Sequence, residues 1–307
     1  MAYRFAAGDR SVQRAVRRMA REQIEGALKA IATESADKAT HEVRKTCKKL
    51  RALLRLIRPV FADYAHENAK FRDIARLLAG SREDKVMLDT FDLLAADAAG
   101  PEDVQAFAAF RPSFARDLAY PMPGKAGAAS LDQVRKRLEA EREEVEGWVL
   151  EDDGWGAIGV GLRRILKQGR KASRTVMREP TALHYHELRK LMKYHWYHTR
   201  MLSPIWSRAM EARAAELSDL ADLLGLHHDI CVFEGRLGSS LPHAESAGTA
   251  RVMLGLADRR RIGVEREIGP LVARLLAQKP RLLSRHWRAL WRIWYDPADA
   301  EAASERL

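Results

Sequence analysis

Apolar residues recur at spacings of three and four along most of the chain, and no run of β-branched residues alternates at period two. With strong helix formers dominating, the pattern predicts an all-α protein. Helices are predicted over about 11–33, 38–58, 65–80, 84–98, 102–119, 129–150, 157–176, 181–202, 205–225, 227–237, 247–266 and 280–295. Breakers fall between them: Pro59, Gly100-Pro101, the stretch Tyr-Pro-Met-Pro-Gly-Lys-Ala-Gly at 120–127, the turn at 151–156, and a loop at 238–248 containing Pro242. The natural boundary between two halves lies between 120 and 156.

The helix predicted at 38–58 is the most polarised. Val43, Cys47, Leu50, Leu53, Leu54 and Ile57 share one face; Arg44, Lys45, Lys48, Arg51, Arg55 and Arg58 share the other, with His41 among them. A solvated face ordinarily mixes acids with bases, because like charges one turn apart repel by a few tenths of a kcal/mol, on the order of 0.2–0.5. After Glu42 this helix has no acid through residue 58, so an anionic partner is expected there.

The second half repeats the arrangement. Arg189, Lys190, Lys193 and Arg200 gather around His186, and Leu188, Leu191 and Met192 lie opposite. His195 falls on the apolar side and reads as a core or interface histidine. The preceding helix adds Arg163, Lys167, Arg170, Lys171 and Arg174, and the first helix sets Arg14, Arg17, Arg18 and Arg21 opposite Val12, Val16 and Met19.

Two segments align at an offset of 145: His41-Glu-Val-Arg-Lys-Thr-Cys-Lys48 and His186-Glu-Leu-Arg-Lys-Leu-Met-Lys193. A second pair, Leu77-Leu78 through Val86 and Leu223-Leu224 through Val232, also aligns without gaps. The chain thus reads as an internal duplication of one helical unit.

Composition fits a folded, cation-rich chain. The 307 residues carry 53 Lys and Arg against 42 Asp and Glu, a net charge of +11, and 47% are hydrophobic, enough for a core. The positive charge is segregated: residues 41–58 hold seven basic side chains and one acid, whereas 83–103 hold seven acids and one Lys. Cys47 and Cys231 are too few for a disulfide scaffold. With no apolar run long enough to span a bilayer and no signal-peptide core at the N-terminus, a cytoplasmic protein with no membrane partner is expected.

These motifs resemble the CHAD family, the conserved histidine α-helical domain. Its pattern, His-x-x-Arg-x-x-x-Arg/Lys-Arg/Lys-Leu-Arg, is present as His41, Arg44, Lys48, Lys49, Leu50 and Arg51, and the second copy keeps His186, Arg189 and Lys193. Gly161 to Lys171 is similar to the family's basic helix, and Leu223-Leu224-Gly225 to Asp229 to its Leu-Gly-x-x-x-Asp element. The resemblance implies two pseudo-symmetric antiparallel helical bundles around a basic central cleft, with repeats at about 1–122 and 157–300. It also implies binding of inorganic polyphosphate and, in some members, association with polyphosphate granules. Tyr194 and Trp196 depart from it, standing where the first copy has Lys49 and Arg51, and Glu83 stands in place of Asp. No Glu-x-Glu-x-Lys motif of the triphosphate-tunnel domain occurs, so a stand-alone module is expected.

The residue types suit that ligand. Arg offers a planar fork to two phosphate oxygens and Lys a mobile point charge. A histidine beside a polyanion favours its charged form. Two other readings compete. Tyr194, Trp196 and Tyr197 could stack on nucleic-acid bases. A phosphohydrolase could use His41 or His186 as general base, although the basic helices are poor in metal-holding carboxylates. Asp229 beside His227 and His228 reads as a helix cap. No catalytic residue, metal or cofactor is assigned; a scaffold docking an acidic protein is a further reading.

Overall fold

The first helix begins where the Ser11 side chain accepts the N–H of Arg14 at 3.1 Å, which fixes the start of α1, Val12–Thr33. Helix α2, Ala36–Ile57, gives way to a 3-10 turn at Arg58–Val60 as Pro59 removes a backbone donor. In this computed structural model, which describes residues 3–78, 83–119, 128–240 and 247–295, the chain continues through α3 (Tyr64–Leu77), α4 (Glu83–Ala95), α5 (Pro101–Ala119) and α6 (Ala128–Glu144). Then follow α7 (Gly154–Arg178), α8 (Ala182–Met201, capped by Thr181), α9 (Ser207–Ser240), α10 (Ala247–Leu275) and α11 (Pro280–Tyr295). Among the described residues there is no strand.

Two expectations are corrected. The helices predicted at 205–225 and 227–237 are one helix, α9, so Asp229 is an interior residue and not a cap. Gly225 lies inside that helix, facing the Arg189 guanidinium of α8. Helix α10 also runs through Gly269-Pro270, where a stop near 266 was expected.

Helix α2 is the centre of the larger core. Its predicted apolar face, from Val43 to Ile57, is fully buried, packed by α1, α3, α7 and α8. Gly161 lets α7 approach closely: a Cβ there would lie 1.8 Å from the carbonyl oxygen of Leu56. His198 on α8, fully buried, is joined through Nε2 to the Ala52 carbonyl of α2 at 2.9 Å. His195 is buried as expected, its ring stacked on Trp287 of α11.

A smaller core is rich in phenylalanine. Phe91 of α4 and Phe107, Phe110 and Phe114 of α5 pack on Phe233 of α9 and on Met253 of α10. Both cores draw side chains from both halves of the sequence.

Candidate functional site

The polarised face of α2 and that of α8 meet across one cleft of about 1170 Å³. From α2 come His41, Arg44, Lys45, Lys48 and Arg51; from α8 come His186, Arg189, Lys190 and Lys193. Burying the apolar face of each helix leaves the opposite, cationic face to form a wall. The two histidines, 145 residues apart in sequence, therefore line the same cavity.

Three more cations complete the lining: Lys29 of α1, Lys38 of α2 and Lys85 of α4. Ten lining residues are Lys or Arg, against the three acids Glu34, Asp37 and Glu42. Two of these acids are engaged, Glu34 with Lys38 at 3.6 Å and Glu42 with Lys45 at 2.5 Å. Lys190 also pairs with Glu187, outside the lining, so basic residues outnumber acids in the cavity wall.

The walls are held by contacts made below the charged surface. Arg44 donates through Nη1 to the Leu78 carbonyl at 2.7 Å, at the C-terminal end of α3. Arg189 lies against Gly225 of α9, its Nη2 3.5 Å from where a Cβ would stand. Arg44 thus reaches the Leu77-Leu78 segment, and Arg189 lies beside Gly225, the residue after Leu223-Leu224. Residues 79–82 of the first segment lie outside the described residues.

His186 is half-buried, and its Nδ1 has no hydrogen-bond partner. Burial, then the neighbouring His228, Lys190 and Arg189, lower its pKa, with Glu187 opposing. Burial likewise lowers the Lys193 ammonium, which Asp222 partly offsets. Lys193 Nζ also lies 4.8 Å from the centroid of the Trp196 ring, with the Arg200 guanidinium at 4.9 Å.

Eleven of the residues singled out in the sequence lie elsewhere. Arg17 binds the Trp148 carbonyl, Arg18 pairs with Asp9 at 2.6 Å and Glu22 at 3.2 Å, and Arg21 pairs with Glu146 at 2.9 Å. Arg14 is exposed at the start of α1. These four sit at the other end of α1 from Lys29, so the cleft is not theirs. Lys49 points to a separate pocket of about 460 Å³, bonded to Gln23 Oε1 at 2.6 Å, its pKa lowered to about 8 by burial and then by Lys45 and Arg200. One position on from Lys48, Lys49 faces Gln23 of α1 instead of the cleft. Arg55 stacks on Tyr194 at 4.2 Å and binds Asn68.

The cations of α7 are also outside the cleft. Arg170 caps the end of α10 through the Leu276 and Ala277 carbonyls. Lys167, Lys171 and Arg174 are exposed, and Arg163 lines another pocket, with α11. That helix meets α2 and α8 through its buried face, which turns its charges outward.

The aromatic residues that sequence reading offered as stacking platforms are occupied. Tyr197 is buried edge-on against Tyr3, Tyr194 lies under Arg55, and Trp196 lies beside Lys193 and Arg200. Among the described residues, the carboxylates that could hold a metal ion together are Glu67, Glu141 and Glu144, away from the cleft. Lys70 sits among them, 3.0 Å from Glu67 and 3.3 Å from Glu141.

The family model described as CHAD domain matches residues 12–238, which include every residue of the cleft. No curated protein matches the chain. No helix among the described residues is long and apolar enough to cross a membrane.

Proposed function

The chain belongs to the CHAD family, a domain associated with polyphosphate binding, and on that premise we propose that its cleft binds inorganic polyphosphate without catalysing its turnover. The observation that carries this reading is the convergence of His41, Arg44 and Lys48 with His186, Arg189 and Lys193 on one cavity. The ligand needs many donors in a row and no base-edge readout. Two cationic helix walls, joined by Lys29, Lys38 and Lys85, supply that. The aligned segments beginning at His41 and His186 both face this cavity, which supports a duplicated unit that presents the same face twice.

Binding of this kind releases counterions, so affinity should fall steeply with salt, by about 0.7 in log–log slope per phosphate neutralised on a flexible strand. The occupied faces of Tyr194 and Trp196 favour a base-free polymer over a nucleic acid. A non-catalytic role is supported by the cleft's own acids: Glu34 and Glu42 are tied to lysines, which leaves Asp37 as a weak basis for a metal-assisted hydrolytic centre.

The test is competition. Labelled polyphosphate bound to the protein should be displaced by unlabelled polyphosphate at a far lower phosphoryl concentration than by single-stranded DNA, RNA or triphosphate at matched salt. Displacement by DNA at equal phosphate concentration would overturn the assignment. Release of orthophosphate from the chain would overturn its non-catalytic part.

A further inference from the structure

A second cationic pocket lies between α7 and α11, outside the cleft. It encloses about 410 Å³ and is lined by Arg163 from α7, Arg281, Arg285 and Arg288 from α11, Trp155 and Ser284. None of these residues lines the cleft, and α11 lies beyond the stretch matched by the family model.

The arginine row follows from how α11 packs. Leu283, Trp287 and Trp291 are buried against the core, which leaves Arg281, Arg285 and Arg288, at spacings of four and three, exposed on one stripe. At 1.5 Å per residue that stripe extends over about 10 Å, longer than one phosphate ion. Trp155 is braced against Trp291, ring centroids 6.0 Å apart, and Ser284 is buried beneath. The guanidinium groups therefore project from a rigid base.

Their charge is not compensated. No carboxylate lines the pocket, and none of the four arginines forms an ion pair among the described residues. Other arginines of this protein are matched, for instance Arg111 with Asp92 and Arg135 with Asp132 and Glu139; what sets these four apart is that they line one concave site together. Four forks around one concave site suit an anion whose oxygens accept bidentate bonds at successive positions. Trp155, tucked against Trp291, offers bases a poor platform, which favours a phosphate polymer without bases.

We propose that the α7–α11 pocket is a second polyphosphate site, so that one molecule holds two chains, or two segments of one chain. This rests on the cleft reading above. Two sites on one rigid protein make it a cross-bridge, and engagement at the first raises the effective concentration at the second.

The experiment is a bridging assay with the full chain, at a protein concentration where light scattering reports monomer. Polyphosphate is fixed to a surface, protein is bound, and capture of a second, fluorescent polyphosphate is read. The wild type should capture the second chain. The variant Arg281→Glu, Arg285→Glu, Arg288→Glu should still bind the surface but lose second-chain capture at least tenfold, as should the milder triple Gln variant. Circular dichroism should be native, since all three side chains are exposed and form no ion pair among the described residues.

If the triple variants bridge like the wild type, the second site is overturned and the cleft reading stands. If Lys48→Glu, Lys193→Glu bridges undiminished, the cleft reading fails instead. Displacement of the second chain by orthophosphate at equal phosphoryl concentration, or preference of this pocket for duplex DNA, would also overturn a polymer site of this chemistry.

Discussion

His186 on α8 and His228 on α9 lie ring to ring, their centroids 5.0 Å apart and their planes inclined by 36°. Burial, then His228, Lys190 and Arg189, hold His186 towards its neutral form, with Glu187 opposing. A polyanion entering the cleft reverses that balance and favours the protonated ring. Binding is then linked to proton uptake, and affinity should rise as pH falls from 8 to 6. Titrations at fixed ionic strength check this, and His186→Gln should flatten the profile. A wild-type affinity independent of pH would remove His186 from the ligand's surroundings.

Acid should destabilise the fold through its buried histidines. His198 is pushed down to about 4 by burial, despite its bond to the Ala52 carbonyl, and His195 is also lowered, by burial and then by Arg213. Both remain neutral in the folded chain, while the unfolded chain takes up protons below about 6.5. The sign is therefore a loss of stability as pH falls from about 6.5 to 4, on the order of 3 kcal/mol from His198 alone. Urea denaturation at pH 7 and pH 5 measures it, and His198→Gln should show a smaller change between the two.

Lys70 is the cation that Glu67, Glu141 and Glu144 share between α3 and α6. Burial and the Glu67 charge raise Glu141 to about 7 even with Lys70 present. Lys70→Met leaves two buried carboxylates without their cation and should destabilise by about 3–5 kcal/mol at pH 8. The loss should be smaller at pH 6, where Glu141 takes up a proton. A denaturation midpoint unchanged at pH 8 would contradict the shared-cation arrangement.

Gly161→Ala should loosen the crossing of α7 on α2. The added methyl meets the Leu56 backbone oxygen, which cannot rotate aside, so a cost of about 1–3 kcal/mol is expected. Thermal unfolding of this variant checks it, with Gly263→Ala, where a Cβ meets nothing within 4 Å, as the control.

The helices and the two cleft walls were legible because amphipathic spacing reports which face of a helix is buried, as with Val43 to Ile57. Spacing does not report what stands opposite. Arg18 looked as suitable as Arg44, yet Asp9 and Glu22 engage it, and Lys85 reached the cleft from the acidic segment 83–103 with no sequence signal at all. Lys38, three residues before His41 and so on the same face, could have been found from spacing. The break expected between 225 and 227 is absent because α9 continues unbroken through Gly225.

The most direct measurement of the central claim is the salt dependence of polyphosphate affinity for the wild type, Lys48→Gln, Lys193→Gln and the double variant. One lysine stands on each wall of the cleft. If both walls grip the same chain, each substitution weakens binding and lowers the log–log slope by about 0.7, and the double variant by about twice that. Unchanged affinity and slope in the double variant, with native circular dichroism, would contradict it.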